Sequence, residues 1–280
     1  MNVLKTLAQY TRVETNKFWQ KSTARVVLIL LFLGPIVGEI LLLSISELDA
    51  VFPRVTHFLF AGDIVLFITL ATVVVSVLAL GNDYELGTVH TILSRGITRS
   101  HFILSKIIAT VGATLINASA YMAGGILSTF IVHITHSDIP LLEAAGSDIL
   151  WRILGSVLVI GLVGFISSGV VMLALVLGRS SWLGMLAGLG YFMFDFSIGG
   201  LGLIQAFGLE RIYRYAFTYY ALSILEQFFP PDPHLGLPRA WSQEGLAGVS
   251  EAWVILFLYG AILTLASMTI FRRQDLLAKR

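Results

Sequence analysis

The chain lacks cysteine, so disulfides, thiolate zinc sites and thiol nucleophiles are all excluded. It is also poor in charge, because Asp, Glu, Lys and Arg make up 12% of its 280 residues, about half their share in a soluble domain. The 18 Lys and Arg residues are balanced by 17 Asp and Glu residues, which is not the basic excess of a nucleic-acid-binding protein. These shortages argue against a soluble enzyme and against a nucleic-acid partner.

Apolar residues, in contrast, are abundant. They make up 56% of the chain, and its mean hydropathy is +0.86. This content excludes a disordered chain and indicates a multi-pass integral membrane protein. A membrane-spanning helix needs about 20 mainly apolar residues. Six segments fit, so the sequence predicts an all-α polytopic fold with six transmembrane helices at about 26–44, 64–80, 107–132, 153–178, 182–200 and 252–271.

The distribution of Lys and Arg predicts how the chain is inserted. With the N-terminus in the cytoplasm, the cytoplasmic segments carry 13 of these residues and the outer segments carry 5. Because cytoplasmic loops are enriched in Lys and Arg, both termini are predicted to be cytoplasmic, and residues 26–280 form a single six-span domain. Residues 1–25 are predicted to form an interfacial amphipathic helix on the inner membrane surface, with Trp19 at interfacial depth. An ordinary cytoplasmic leader is the alternative.

The cytoplasmic loop between the second and third spans holds the most informative pattern. Asn82 with Glu85 is typical of a helix start, and Gly96 is typical of a helix end, so a short helix is predicted at about 82–95. Its apolar side is formed by Leu86, Val89, Leu93 and Ile97, and its polar side by Glu85, Thr88, Thr91 and Arg95. This helix is too short and too polar to span, so we expect it on the cytoplasmic surface, facing water or a protein partner. A solvated helical linker is the alternative.

Motif residues in this loop and beyond it resemble one transporter family. They are Glu85-Leu86-Gly87-Thr88, Leu93-Ser94-Arg95, Arg99 and Lys106, together with Glu14 and the ending Phe271-Arg272-Arg273-Gln274-Asp275. In order, spacing and the count of six spans, the chain resembles permease (transmembrane) subunits of the second ABC exporter family, which have the type-V ABC transporter fold. Gly96 departs from the pattern, because family members commonly have proline there.

The resemblance implies that the 82–95 helix is a coupling helix that docks into a cleft of a separate ATPase subunit. It implies ATPase-coupling roles for Glu85, Gly87, Thr88, Thr91, Arg95 and Arg99, and a second permease copy or close relative as a further partner. The partner ATPase would bind ATP and Mg, because this chain has no Gly-Lys dipeptide and hence no phosphate-binding loop. The chain would be a non-enzymatic subunit in the plasma (inner) membrane, in contact with membrane lipids.

The outer connection between the fifth and sixth spans is rich in aromatic residues, and an outer helical segment is predicted at about 201–238. In the resembled family such helices close the top of the pathway, so Phe228 and Phe229 are candidates for an outer gate. An interfacial aromatic anchor is the alternative. Three acidic residues, Glu39, Asp63 and Asp195, lie within or beside the spans. They either reach outer water or form an acidic vestibule for cationic or amphipathic cargo.

Other function classes find less support. Haem ligation needs histidines inside the spans, and none of the six histidines lies centrally in a predicted span. His133 and His136 have the spacing of metal ligands but no supporting ligands, so no metal site, catalytic residue or cofactor is predicted in this chain. A secondary transporter or channel-like protein without an ATPase is the main alternative, although the predicted spans carry almost no charge near their midplane.

Overall fold

The computed structural model describes residues 3–45, 62–94, 97–135, 149–199, 212–228 and 247–274. Within those ranges the chain is helical and has no β-strand. The helices are α1 (Val3–Gln20), α2 (Ser22–Ile45), α3 (Gly62–Ser76), α4 (Asn82–Glu85), α5 (Thr88–Ser94), α6 (Arg99–Thr135), α7 (Ile149–Gly178), α8 (Ser181–Gly199), α9 (Phe217–Phe228) and α10 (Val249–Arg273). A π-helical segment, Val77–Gly81, joins α3 to α4, and a 3₁₀ turn, Ile212–Tyr215, precedes α9.

Several of these helices are long and apolar enough to cross a membrane. Among the described residues there are four such stretches, Val65–Glu85, Arg99–Ser128, Ile153–Gly178 and Val249–Arg273, and a fifth if Leu7–Gln20 and Ser22–Gly38 count as one bent span. The chain is therefore an all-α integral membrane protein, as predicted. The predicted fifth span corresponds to the 19-residue α8. The count of six spans and the orientation remain predictions.

α1 is a separate helix, which agrees with the prediction of a distinct N-terminal element. It meets α2 at a bend of 75° around Lys21. α1 is amphipathic, because Phe18 is buried together with Ala24 and Val75 while Lys17 is exposed. That apolar side packs α1 against α6, and its location at the membrane surface remains a prediction.

α7 lies at the centre of the bundle. It packs against α3, α6, α8, α9 and α10, as expected for a helix that is apolar on all sides. Glycines set the distance between some neighbouring helices. A Cβ atom on Gly188 of α8 would lie 2.6 Å from Val171 of α7, and one on Gly124 of α6 would lie 2.1 Å from the carbonyl oxygen of Phe32 of α2. Small residues at these positions let the helix backbones approach closely within this one chain.

The two ends of the bundle are named here after Lys106 and Asp195. The Lys106 end contains the α1–α2 bend, the π-helical segment, the start of α6 and the ends of α7 and α10, and there Arg99 bonds the end of α10. The Asp195 end contains the end of α8, all of α9 and the starts of α7 and α10, and there Phe228 packs against Gly155 of α7. Each end therefore holds a buried charged side chain, Lys106 at one end and Asp195 at the other.

Candidate functional site

A buried group of charges lies at the Lys106 end. The side chain of Lys106 is 0% exposed, and its Nζ atom lies 2.7 Å from Glu14 Oε2 and 2.5 Å from Asp83 Oδ2. Nζ also donates a hydrogen bond of 2.6 Å to the carbonyl oxygen of Ala79, and it lies 5.0 Å from the ring centroid of Phe102. These contacts satisfy a cation that is fully removed from water. The Lys106 cluster, comprising Lys106, Glu14, Asp83 and the Ala79 carbonyl, thus joins α1, α6 and the end of the helical stretch Val65–Glu85.

The π-helical segment supplies carbonyl groups to this cluster. π-helical turns are rare within α-helices and are frequently found at functional sites. Lys21 Nζ donates to the carbonyl oxygen of Leu78 at 2.6 Å, and Lys106 Nζ donates to that of Ala79. Partial burial lowers the pKa of Lys21, and the nearby Asp83 carboxylate opposes that shift. Two lysines thus attach the α1–α2 bend and α6 to consecutive carbonyls of one distorted helix.

The prediction of one helix over 82–95 is wrong. The chain is already helical at Gly81, so Asn82 continues the preceding span and does not begin a new helix. α4 ends just before Leu86, and Gly87 adopts a φ of 65°, a left-handed conformation that costs other residues about 1–2 kcal/mol. α5 then runs for seven residues in a new direction. The predicted surface helix is therefore an extension of the span, a turn at Glu85–Gly87 and a two-turn helix.

The faces of this segment agree only in part with the predicted pattern. Val89 is buried, and Leu93 packs against the same apolar cluster, as predicted. Leu86 was expected on that apolar side, but it is 74% exposed, because the turn at Gly87 changes the direction of the chain. Glu85 and Thr91 are exposed, as expected for the polar side. The Glu85–Gly87 turn consequently presents one acidic and one large apolar side chain outward.

Thr88 has a structural role that the sequence did not reveal. Its Oγ1 atom donates a hydrogen bond of 3.0 Å to Oδ1 of Asp83, whose other oxygen faces Lys106. The start of α5 is thereby tied to the Lys106 cluster. The hydroxyl of Thr88 therefore makes a contact within the chain, and its predicted coupling role stays a prediction.

Arg99 also makes contacts within the chain that the sequence did not reveal. Its Nη1 atom donates to the carbonyl oxygens of Arg272 at 2.8 Å and Gln274 at 2.6 Å, with a longer contact of 3.4 Å to that of Phe271. A cation at a helix C-terminus satisfies carbonyl groups that have no partner within the helix. Arg99 therefore caps α10 and fixes it to the start of α6. Arg95 lies outside the described residues.

Lys106 and Asp83 were the residues whose roles sequence reasoning missed. Lys106 was part of the motif resemblance, but no partner was assigned to it, and Asp83 was not singled out. Their signal was a charge within helices that are otherwise apolar, which a bilayer tolerates only if the charge is paired. The pairing with Glu14 could not be read, because 92 positions separate Glu14 from Lys106.

Asp195 is a buried carboxylate at the end of the bundle that is named after it. Asp195 is 3% exposed, and its two carboxylate oxygens accept hydrogen bonds from the backbone N–H groups of Phe217 at 3.0 Å and Thr218 at 2.9 Å. The hydroxyl of Thr218 donates back to the carbonyl oxygen of Asp195 at 2.9 Å. Asp195 thus caps the N-terminus of α9 and reaches neither outer water nor a vestibule.

The described part of the predicted outer segment is helical, as expected. α9 packs against α7, α8 and α10, and most of its side chains are buried, so it is a component of the bundle and not a loosely attached surface helix. Phe228 is partly buried near Gly155. Phe229 and the side chains of Glu39 and Asp63 lie outside the described residues, so their predicted roles are untested.

Comparisons with known proteins identify no relative. No protein-family model matches the chain, and no curated protein matches it. Within the ranges that the structure describes, no group of three or more His, Asp or Glu side chains is placed to hold a metal ion. A function for this chain is therefore inferred from the geometry of the Lys106 end.

Proposed function

We propose that this chain is the permease subunit of an ATP-driven ABC exporter, with the type-V fold of the second exporter family. Its coupling site is the segment Asn82–Ser94, to which a separate ATPase subunit binds. The observation that carries the proposal is the mechanical connection of this exposed segment to three helical elements through one fully buried lysine. A linker without a mechanical role needs no such connection.

The Lys106 cluster is suited to transmitting force. A push on the Glu85–Gly87 turn acts on Asp83 two residues away, and Asp83 is paired with Lys106 of α6. Lys106 is paired in turn with Glu14 of α1. The helices α1 and α6 and the stretch Val65–Glu85 would therefore move together. Charge pairs held away from water are strong and resist separation. Motion of a bound motor would thus reach the spans as a concerted displacement.

The exposed residues of the segment fit a protein cleft. Leu86 is a large apolar side chain at the tip of a turn, where burial in a partner would remove its surface from water. Glu85 beside it is exposed and available to a basic group of the partner. Protein interfaces generally have an apolar core and a polar rim, and Leu86 with Glu85 beside it would fit that arrangement.

The remaining components follow from the assignment. The ATPase subunits bind ATP and Mg, and this chain binds neither. A second permease copy or a close relative completes the pathway, and the complex lies in the plasma (inner) membrane with the Lys106 end in the cytoplasm. The substrate crosses between the two permeases as ATP closes the ATPase pair.

Charge reversal at the tip tests this function. Glu85→Arg combined with Leu86→Asp is expected to lower transport and permease-stimulated ATP hydrolysis by at least about tenfold, since a lost interface anchor costs about 1.4 kcal/mol or more. The assay uses the complex of this chain with the ATPase subunit that copurifies with it. Membrane insertion and melting temperature should not change, because both side chains are exposed.

Glu251→Arg is the matched control, because Glu251 is also exposed but lies at the Asp195 end, in the first turn of α10. This variant should retain full stimulation. Full stimulation in the Glu85/Leu86 double variant, or purification of a transport-competent chain with no ATPase, would contradict the proposal and favour a secondary transporter or channel.

A further inference from the structure

Polar side chains line the contact between α3 and α6, well inside the apolar bundle. Thr72 of α3 and Thr114 of α6 share a hydrogen bond of 2.9 Å, and both are fully buried. Nearer the Lys106 end, Ser76 bonds the carbonyl oxygen of Thr72, and Thr110 bonds that of Lys106. Polar groups between spans stabilise their association, provided that every group finds a partner.

The two helices run in opposite directions. Thr72 meets Thr114, and further along α3 and its extension Asp83 meets Lys106, so residue numbers rise on one helix as they fall on the other. Thr69, three residues before Thr72, is therefore level with Asn117, three residues after Thr114, because residues three apart share a helix face. Thr69 and Asn117 are thus the next pair of polar residues toward the Asp195 end.

This next pair has unmet hydrogen-bonding capacity. Thr69 and Asn117 are fully buried, and the atoms Thr69 Oγ1, Asn117 Oδ1 and Asn117 Nδ2 have no hydrogen-bond partner among the described residues. A buried asparagine with both amide atoms unpaired is rare in folded proteins, since each unmet group loses its hydration without compensation. Three such atoms at one level of the bundle indicate that a further group binds there.

We propose that Thr69 and Asn117 form a buried binding site for a water molecule. The site offers one hydroxyl, one carbonyl oxygen and one NH₂ group, which matches the roughly three hydrogen bonds that a buried water makes. A metal cation is a poor fit, because it prefers several oxygen ligands and this pair provides two, neither of them charged. A lipid is excluded from the site, because both side chains are buried within the bundle.

Along α3 and α6, the water lies beyond the Thr72–Thr114 hydrogen bond, on the side away from the Lys106 cluster. It completes a polar contact between α3, which leads through the π-helical segment and α4 to the Glu85–Gly87 turn, and α6, which follows α5. The inference depends on the burial and register of α3 and α6 alone, and it holds whether or not an ATPase binds this chain.

Hydroxyl-radical footprinting by X-ray radiolysis in ¹⁸O-labelled water tests the site on the purified full chain. Tyr121 lies one turn beyond Asn117 on α6, and its ring packs 6.2 Å from that of Phe67, which is two residues before Thr69 on α3. Tyr219 of α9 is the reference, because the two tyrosines are 4% and 3% exposed. A bound water generates radicals beside Tyr121, so Tyr121 should be oxidised at least about fivefold faster than Tyr219. Equal rates would overturn the proposal.

The variant Thr69→Val with Asn117→Leu removes all three polar atoms. Oxidation of Tyr121 should then fall at least about fivefold while that of Tyr219 is unchanged, because the water has lost its partners. The conservative variant Thr69→Ser keeps the hydroxyl and should label like the wild type. Unchanged Tyr121 oxidation in the folded double variant would overturn the proposal, and the wild-type comparison decides the matter if that variant does not fold.

Discussion

Replacing Lys106 with methionine is expected to lower the apparent melting temperature by about 10 °C. Breaking a buried ion pair by removing one partner typically costs about 3–5 kcal/mol, and 1 kcal/mol corresponds to roughly 2–4 °C in a chain of this size. Methionine has a similar length and no charge, so Glu14 and Asp83, which are only 12% and 15% exposed, lose the buried cation that they share. The measurement is a thermal unfolding scan of the purified protein in one detergent at a fixed scan rate.

Lys17→Met is the matched control for this experiment. Lys17 pairs with the same Glu14 at 3.1 Å, but its side chain is 48% exposed, and exposed pairs contribute at most about 1 kcal/mol. The melting temperature of this variant should stay within about 3 °C of the wild-type value. Equal shifts for the two lysine variants would show that burial of Lys106 does not organise this end of the bundle.

Replacing Asp195 with alanine is expected to destabilise the chain by about 3 kcal/mol. The change removes both acceptors of the Phe217 and Thr218 N–H groups, which are buried and would lose their hydrogen bonds. It also removes the acidic cap of α9. Asp195→Asn should have a smaller effect, because the amide oxygen still accepts one of the two bonds. Thermal unfolding and the rate of proteolysis near α9 measure the effect.

Glu251→Ala serves as the reference for Asp195. Glu251 is acidic and lies at the same end of the bundle, but it is exposed, so its removal should change stability by no more than about 1 kcal/mol. A folded Asp195→Ala variant with wild-type stability would mean that the carboxylate does not hold α9 in place. The acidic-vestibule role would then become tenable again.

The positions of the long helices could be predicted because the bilayer imposes a strong constraint on composition. The fourth span was predicted at 153–178 and is α7, which ends at Gly178. Next, Arg179 has a φ of 52°, which ends the regular helix. Apolar runs of this length have few alternatives to a buried or membrane helix, so composition was sufficient here.

The local geometry of the 82–95 segment could not be predicted with the same rules. Asn82 and Glu85 match a helix-start pattern, but that pattern also occurs within a continuing helix, as it does here. Gly87 fits equally well within a helix and in a left-handed turn, and only the packing of Val89 beyond it decides between them. The sequence therefore indicated correctly that residues 82–94 are mostly helical, but it did not indicate the turn that divides them into two helices.

The roles of charged residues depended on contacts between distant parts of the chain. Arg99, which the resemblance gave a coupling role, caps α10, and Asp195, expected either to reach outer water or to line a vestibule, caps α9. In both cases the acceptor or donor groups are backbone atoms at helix ends, and composition gives no signal for them. The motif resemblance singled out Arg99 and charge within a span singled out Asp195, but neither signal indicated the groups that they bind.

Crosslinking from the Glu85–Gly87 turn tests the central claim most directly. Because the chain has no native cysteine, Leu86→Cys provides one unique site for a photoactivated crosslinker, and Glu251→Cys provides the control at the opposite end. Membranes from the native host are irradiated, and the captured polypeptide is tested for ATP binding.

We expect the thiol of the Leu86→Cys variant to be labelled only from the cytoplasmic side and to capture an ATP-binding subunit. The thiol of the Glu251→Cys variant should capture no such subunit. Labelling of the Leu86→Cys variant from outside intact cells, or its failure to capture any ATP-binding protein, would contradict the account.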